Sequence, residues 1–288
     1  MRKVIKTFLS IAGSDPCGGA GIQADIIAAS SQGLHVATAI TAVTSQNSNG
    51  FYELGLIQPS LLKSQLDAIS QECDIAGIKV GLLPSAAQID LVSSFIQDFT
   101  APIPIVVDPV LKPTSSRQTF SDEQDYRTYL EKYVDSLFPL ATVVMPNNEE
   151  ISNFLDYFGK ESLSALDIVD LGKHLLEWWG SEALIIKGGH TTSNELKDKL
   201  FYYHDNNINH ISYNHQRQNC LNLHGTGCVM SSLLTAYLIS GKTLTDAFSS
   251  TCEHMEKIIG NSCQYNAGKS LNGPLNINNF KLYDPHDQ

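Results

Sequence analysis

Four short segments combine glycine with side chains able to move protons or hold phosphate. The first is Gly13-Ser14-Asp15-Pro16-Cys17-Gly18-Gly19-Ala20-Gly21, which follows an apolar run and leads into Ile22-Gln23-Ala24-Asp25. Glycine lets a backbone approach a ligand and adopt positive φ, and a helix start presents unpaired N–H groups. The segment lacks the Gly-Lys-Ser/Thr of a Walker A loop and the spacing of the dinucleotide fingerprint. By itself it also suits a plain glycine-rich turn. The second segment, His224-Gly225-Thr226-Gly227-Cys228, opens the apolar stretch 229–240. Two glycines ahead of a helix let successive amides converge at the positive end of its dipole, which suits a transferring phosphoryl group. A thiol in that first turn is expected to have a lowered pKa and to act as a base toward a substrate hydroxyl. The plainer alternative makes Cys228 a small buried residue.

The third segment, Ala183-Leu184-Ile185-Ile186-Lys187-Gly188-Gly189-His190, ends an apolar run on a lysine. Its ammonium can face nucleotide phosphates or simply reach solvent. The fourth is Met145-Pro146-Asn147-Asn148-Glu149-Glu150. Asn147 and Glu150 can hold Mg²⁺ through water, since that ion keeps most of its hydration shell. They also have the spacing of a helix-start capping box, and the two roles are compatible.

The elements that must position these segments are legible as alternating patterns. Strands are expected at Thr7–Ala12, Val36–Thr44, Ile75–Val80, Ile105–Asp108, Thr142–Met145 and Ala183–Lys187. Several are apolar on consecutive residues, as strands buried on both faces should be. Helices are expected near 20–32, 60–71, 85–98, 122–136, 149–157 and 164–179. This is the alternation of βαβ units with a mainly parallel sheet. Leu200–Tyr203 and Ile211–Tyr213 flank Asp205-Asn206-Asn207 as a hairpin. Two helices follow, near 228–240 and 244–259, with Gly241 ending one and Thr243 and Asp246 opening the other. No repeat or compositional break divides the chain, so 1–288 is expected to be one domain with an irregular end over its last eight residues. All four chemical segments then fall at strand ends or helix starts on one edge of the sheet, where open α/β sheets bind ligands.

A formal net charge of −11 argues against a nucleic-acid binder, which needs Lys and Arg against phosphates. It leaves nucleotides open, because backbone amides and one or two local cations suffice for them. No apolar run approaches the length of a membrane span, and the first residues lack the form of a signal peptide. The six cysteines have no CxxC pairs and read as free thiols of a reducing compartment, so a cytoplasmic location is expected.

Seven segments in order resemble one family. They are residues 13–25, Thr44-Ser45-Gln46-Asn47, Ile78-Lys79-Val80-Gly81-Leu82, Asp108-Pro109-Val110, residues 146–150, residues 187–190 and residues 224–228, with a late Gly273-Pro274-Leu275. Together they resemble the hydroxymethylpyrimidine/phosphomethylpyrimidine kinases of thiamin biosynthesis, within the ribokinase-like superfamily. The resemblance implies a three-layer αβα fold around a central, mostly parallel sheet, and the use of ATP and Mg²⁺. It implies a homodimer acting on a small pyrimidine alcohol. By motif position it assigns Asp25 and Gln46 to hydrogen bonds with the pyrimidine, a carboxylate and an amide suiting an aminopyrimidine's ring acceptors and amino donor. It places Gly13, Ala20, Leu82 and Val110 around the same pocket. Cys228 takes the position of the catalytic base, Gly225, Thr226 and Gly227 form the anion hole, Lys187 and Asn147 face ATP, and Glu150 and Asp108 serve the magnesium. The resemblance further implies two transfers, to the alcohol and then to the monophosphate. The second should depend less on Cys228, because an ionised phosphate acceptor gives up no proton.

One departure stands in the segment after Val110, where Ser116 occupies a position at which the family commonly has glycine, in what resembles a flap over the site. The competing readings are a pyridoxal kinase or an enzyme acting on both alcohols, and a silent pyrimidine-binding regulator. Lys187, Glu150 and Cys228 together argue against the regulator, since a binder has no need of an ATP half. A sugar kinase lacks any recognisable sugar-binding segment.

Overall fold

The computed structural model describes residues 5–47, 50–111, 123–188, 195–218, 220, 223–263 and 273–277. Along the chain its strands are β1 (Thr7–Ser14), β2 (His35–Asn47), β3 (Gly50–Leu56), β4 (Ile75–Val80), β5 (Ile105–Val107), β6 (Val143–Val144), β7 (Ala183–Ile186), β8 (Glu195–His204) and β9 (Asn207–Gln216). They form a single sheet in the order β3-β2-β1-β4-β5-β6-β7-β8-β9. The six strands from β2 to β7 run parallel, while β3 and the β8–β9 hairpin add antiparallel edges. The expected strands are all present. β3 was not expected, because its residues are partly exposed along their whole length and carry no buried apolar run.

The helices are α1 (Gly21–Ser31), α2 (Pro59–Glu72), α3 (Ala86–Gln97), α4 (Glu123–Lys132), α5 (Asn148–Tyr157), α6 (Ile168–Trp179), α7 (Thr226–Ile239) and α8 (Leu244–Ser262). The alternation of each strand sorts them into two layers. Ile105 and Val107 of β5, with Leu184 and Ile186 of β7, join the core built with α2 to α6. Val106, Ala183 and Ile185 point the other way and pack with α1, α7 and α8. Consecutive apolar residues are therefore needed because both faces are covered.

Two helix boundaries differ from expectation. The stretch expected as one helix over 122–136 becomes α4 followed by a π-turn at Tyr133–Leu137 and a 3₁₀ turn at Phe138–Leu140. The helix expected from 164 begins at Ile168, because the Asp167 carboxylate accepts the N–H groups of Val169 and Asp170 and fixes the start there. The cap expected at Thr243 forms, its hydroxyl accepting the Asp246 N–H, and Gly241 follows α7 with φ 91°. The flap around Ser116, the pair Gly189-His190 and the last eight residues lie outside the described residues.

Candidate active site

Because β1, β4, β5, β6 and β7 are parallel, the residues directly after them share one edge. Gly81 and Leu82, Asp108 to Val110, Pro146 to Glu150, and Lys187 all leave the sheet there. α7 starts against the same edge. Asp108, Asn147, Glu150 and Lys187 line a cavity of about 450 Å³, together with Gly225 to Cys228 and Val110. Its lining also includes the apolar Leu196, Leu223, Met230, Met255 and Ile259.

The two glycine segments are interlocked. Asp15 is fully buried, and its carboxylate accepts the N–H groups of Cys17, Gly19 and Ala20 at 2.9, 3.1 and 2.9 Å. His224 Nε2 lies 2.8 Å from the same carboxylate, so one residue ties the β1 loop to the start of α7. Burial acts to raise the Asp15 pKa, but His224 and the backbone donors outweigh it and hold it below the ordinary carboxylate value. Gly225 caps α7 with φ 85°, and a Cβ there would overlap the Gly19 carbonyl. Only glycine fits both the left-handed backbone and that contact.

The helix start at Asn148 is a full capping box. Asn147 Oδ1 accepts the Glu150 N–H at 2.9 Å and Glu150 Oε2 accepts the Asn147 N–H at 2.7 Å. That leaves Glu150 facing the cavity beside Lys187, whose Nζ is 2.6 Å from Asp108 Oδ1 and 4.0 Å from Glu150 Oε2. Burial works against the Lys187 charge, yet Asp108 and Glu150 hold its pKa above the ordinary lysine value. Burial and the neighbouring Asp108 carboxylate, opposed by Lys187, push Glu150 up to about 7. Lys187 thus turns to the cavity carboxylates and keeps only a small exposure. It neutralises two carboxylates that outnumber it.

Those two carboxylates suit a magnesium ion held partly through water, since they offer hard oxygen donors and an unbalanced negative charge. Among the described residues no cluster of three or more His, Cys, Asp or Glu forms a complete protein cage for a metal. A hydrated Mg²⁺ shared with substrate oxygens fits that arrangement.

Cys228 stands in the first turn of α7, half-buried between the cavity and the β1 loop. The Gly21 backbone N–H acts on the thiol in the direction that favours the thiolate. The lowered thiol pKa expected from the helix start is not what the structure gives. Burial raises it to about 11, with Lys79 the main opposing influence and Asp25 and Asp108 adding to the rise. Removing a thiolate from water outweighs the dipole of one helix turn.

Asp25 is also placed differently from the expectation. It is fully buried, with Lys79 Nζ 2.9 Å from both oxygens, Ser10 Oγ at 2.6 Å and Ser232 Oγ at 2.8 Å. Its acceptor positions are taken by Lys79, Ser10 and Ser232 in this arrangement. Of the other residues assigned to the pyrimidine, Val110 lines the cavity, whereas Gly13, Ala20, Leu82 and Gln46 lie around the β1 loop outside its lining. Gly13 abuts Leu82, Ala20 abuts Gly225, and the Gln46 carbonyl accepts the Cys17 thiol at 3.4 Å.

Reading the residue types alone missed three positioning groups. Lys79 sits inside an otherwise apolar strand run, and a lysine in such a place was the available signal. Asp198 of β8 accepts the Gly188 N–H at 2.8 Å and fixes the turn after Lys187. Asp15 and His224 are 209 positions apart, and nothing local in sequence pairs them.

A cationic group beside paired carboxylates, converging helix-start amides and a thiol beside them define a phosphoryl-transfer class of site on a ribokinase-like sheet. The phosphomethylpyrimidine kinase family model matches residues 15–276, and the chain belongs to that family. It is 33% identical to the hydroxymethylpyrimidine/phosphomethylpyrimidine kinase of Haemophilus influenzae, over 94% of this chain and 96% of that protein. It is 29% identical to the chloroplastic thiamine biosynthetic bifunctional enzyme of Arabidopsis thaliana, covering 96% of this chain and 50% of that enzyme. The chain therefore spans about half the length of the plant relatives it matches. Among solved structures, a pyridoxal kinase from Staphylococcus aureus in complex with AMP-PCP and pyridoxal superposes with a TM-score of 0.74 at 25% identity, covering 95% of this chain and 94% of that one.

Proposed function

We propose that this chain, acting as one domain, transfers the γ-phosphoryl group of ATP to the hydroxymethyl group of an aminopyrimidine and then to the resulting monophosphate. The observation that carries the reading is the placement of Cys228. It lies where the ion-paired cavity meets the glycine loop, within reach of both halves of the reaction. The amides of Thr226 to Cys228 face the transferring oxygens, and Lys187 balances phosphate charge. Asn147 positions Glu150, which with Asp108 would hold Mg²⁺. The ion supplies charge neutralisation across the phosphates when bound.

For the alcohol acceptor, Cys228 accepts the hydroxyl proton as the oxygen attacks in line. With its thiol raised to about 11, the base is mostly protonated at neutral pH, so the alcohol transfer should speed up with pH toward that value. The monophosphate acceptor needs no such proton removal. Gly13, Ala20, Leu82, Val110 and Gln46 surround the pyrimidine, and a cytoplasmic homodimer is the form in which we expect the enzyme to work. Among the described residues no helix is long and apolar enough to cross a membrane.

Pyridoxal is the second acceptor to consider, favoured by the fold shared with the Staphylococcus aureus enzyme. ATP consumption measured side by side with hydroxymethylpyrimidine, its monophosphate and pyridoxal tests the reading. Turnover of both pyrimidines is expected. Turnover of pyridoxal alone would overturn the pyrimidine assignment, and tight pyrimidine binding without turnover would identify a regulator instead.

A further inference from the structure

Cys228 stands between two lysine–carboxylate pairs, and the reaction above uses only one of them. Asp108–Lys187 faces the cavity. Asp25–Lys79 is sealed, with neither side chain exposed. A buried ion pair is a poor way to stabilise a fold, because apolar residues of similar volume commonly do as well or better. Its retention beside the reacting thiol calls for another reason.

The geometry supplies one. On α1, Gly21 and Asp25 lie one helical turn apart, and on α7 Cys228 and Ser232 do the same, so each pair shares a helix face. The turns match across the α1–α7 contact: the Gly21 backbone acts on the Cys228 thiol, and Ser232 Oγ donates to Asp25 Oδ1 at 2.8 Å. Lys79 rises from β4 into this junction, its Nζ 2.9 Å from both Asp25 oxygens. Ser10 completes the set around the carboxylate, leaving the ammonium little room to move. The charged groups acting on the sulfur are Lys79, Asp25, Asp108 and Lys187. The last two are already balanced against each other at the cavity.

We infer that Lys79, locked in place by Asp25, is a positioning residue whose fixed positive charge favours the Cys228 thiolate that then takes the substrate proton. This rests on the two-transfer reading above. The Cys228 thiol first releases its proton to solvent; in the first transfer the substrate O–H bond then breaks and an S–H bond forms on that thiolate, while the new O–P bond replaces the bond to ADP. Lys79 keeps all its protons throughout. In the second transfer the acceptor oxygen is already ionised, no proton moves to sulfur, and the fixed charge is idle. The influence of Lys79 on the thiol, opposed to that of burial, is in accord with this role.

The test compares two acceptors in one protein. The full-length double variant Asp25→Asn/Lys79→Met removes both buried charges together and so avoids stranding one. With MgATP, its kcat on the alcohol should fall about 100-fold or more, the scale of lost general-base assistance, with little change in KM. Its kcat on the monophosphate should change only a few-fold. Equal losses on both acceptors, or no loss on the alcohol, would overturn the role. Should that variant fail to fold, Ser232→Ala keeps every charge and only loosens Asp25. It should show the same asymmetry on a smaller scale, and a symmetric loss would again count against Lys79. Wild-type protein that phosphorylates neither acceptor refutes the parent reading, whereas active wild type with symmetric variants refutes only this inference.

Discussion

The two lysine–carboxylate pairs beside Cys228 have the same chemistry and opposite surroundings. In Asp25–Lys79 neither side chain is exposed, and two serines satisfy the remaining carboxylate positions. In Asp108–Lys187 the lysine is 13% exposed and a second carboxylate, Glu150, lies 4.0 Å away. The first pair is closed in charge and in hydrogen bonds, so nothing entering the site can exchange with it. The second sets two carboxylates against one lysine on a cavity wall, open to exchange with what enters. Burial, not residue type, separates a fixed charge from an exchangeable one. A third pair, Asp15–His224, has a buried carboxylate and an imidazole that is 26% exposed, and it joins loops.

Breaking each pair should grade this comparison. The largest stability effect belongs to Lys79→Ala, which strands the Asp25 carboxylate away from water and should cost about 3–5 kcal/mol, read by denaturant unfolding. The neutral Asp25→Asn/Lys79→Met variant should recover most of that loss, and equal destabilisation by both would contradict the sealed-pair argument. Lys187→Met should separate the two ends of the scale differently. Its kcat/KM should fall by about 100-fold or more, as for loss of a preorganised electrostatic group, with a smaller loss of stability than Lys79→Ala. The opposite ranking would mean that Lys187 is mainly a structural cation.

The smallest effect belongs to Asp15→Asn, and it carries a pH signature. The folded pKa of Asp15 lies below its ordinary value. Its ionised form therefore stabilises the fold at neutral pH, and this contribution is lost as pH falls below about 4. The melting-temperature gap between wild type and Asp15→Asn should narrow through that range. A gap that stays constant would show that the carboxylate's charge is not what joins the loops.

Much of the site was legible because phosphoryl chemistry leaves local marks. Glycine before a helix, a lysine at a strand end and Asn147 three residues ahead of Glu150 each need only a few neighbouring positions to be recognised. β3 was not legible, since a partly exposed edge strand leaves no buried run to read. The true start of α6 depended on which of several polar residues became the cap, and Asp167 was fixed only by its hydrogen bonds.

By itself the sequence determined the order of strands and helices, the parallel sheet and the segments that gather at its carboxyl edge. Periodicity and glycine placement act over a few residues, so they survive in one dimension. The tertiary structure alone decided the direction in which burial shifts the Cys228 thiol and the enclosure of Asp25 by Lys79, Ser10 and Ser232. Both depend on which charges lie within a few ångströms and how little water remains between them. Around Asp25 the groups concerned are Lys79 and Ser232, 54 and 207 positions away, which meet it only when the sheet and α7 are packed.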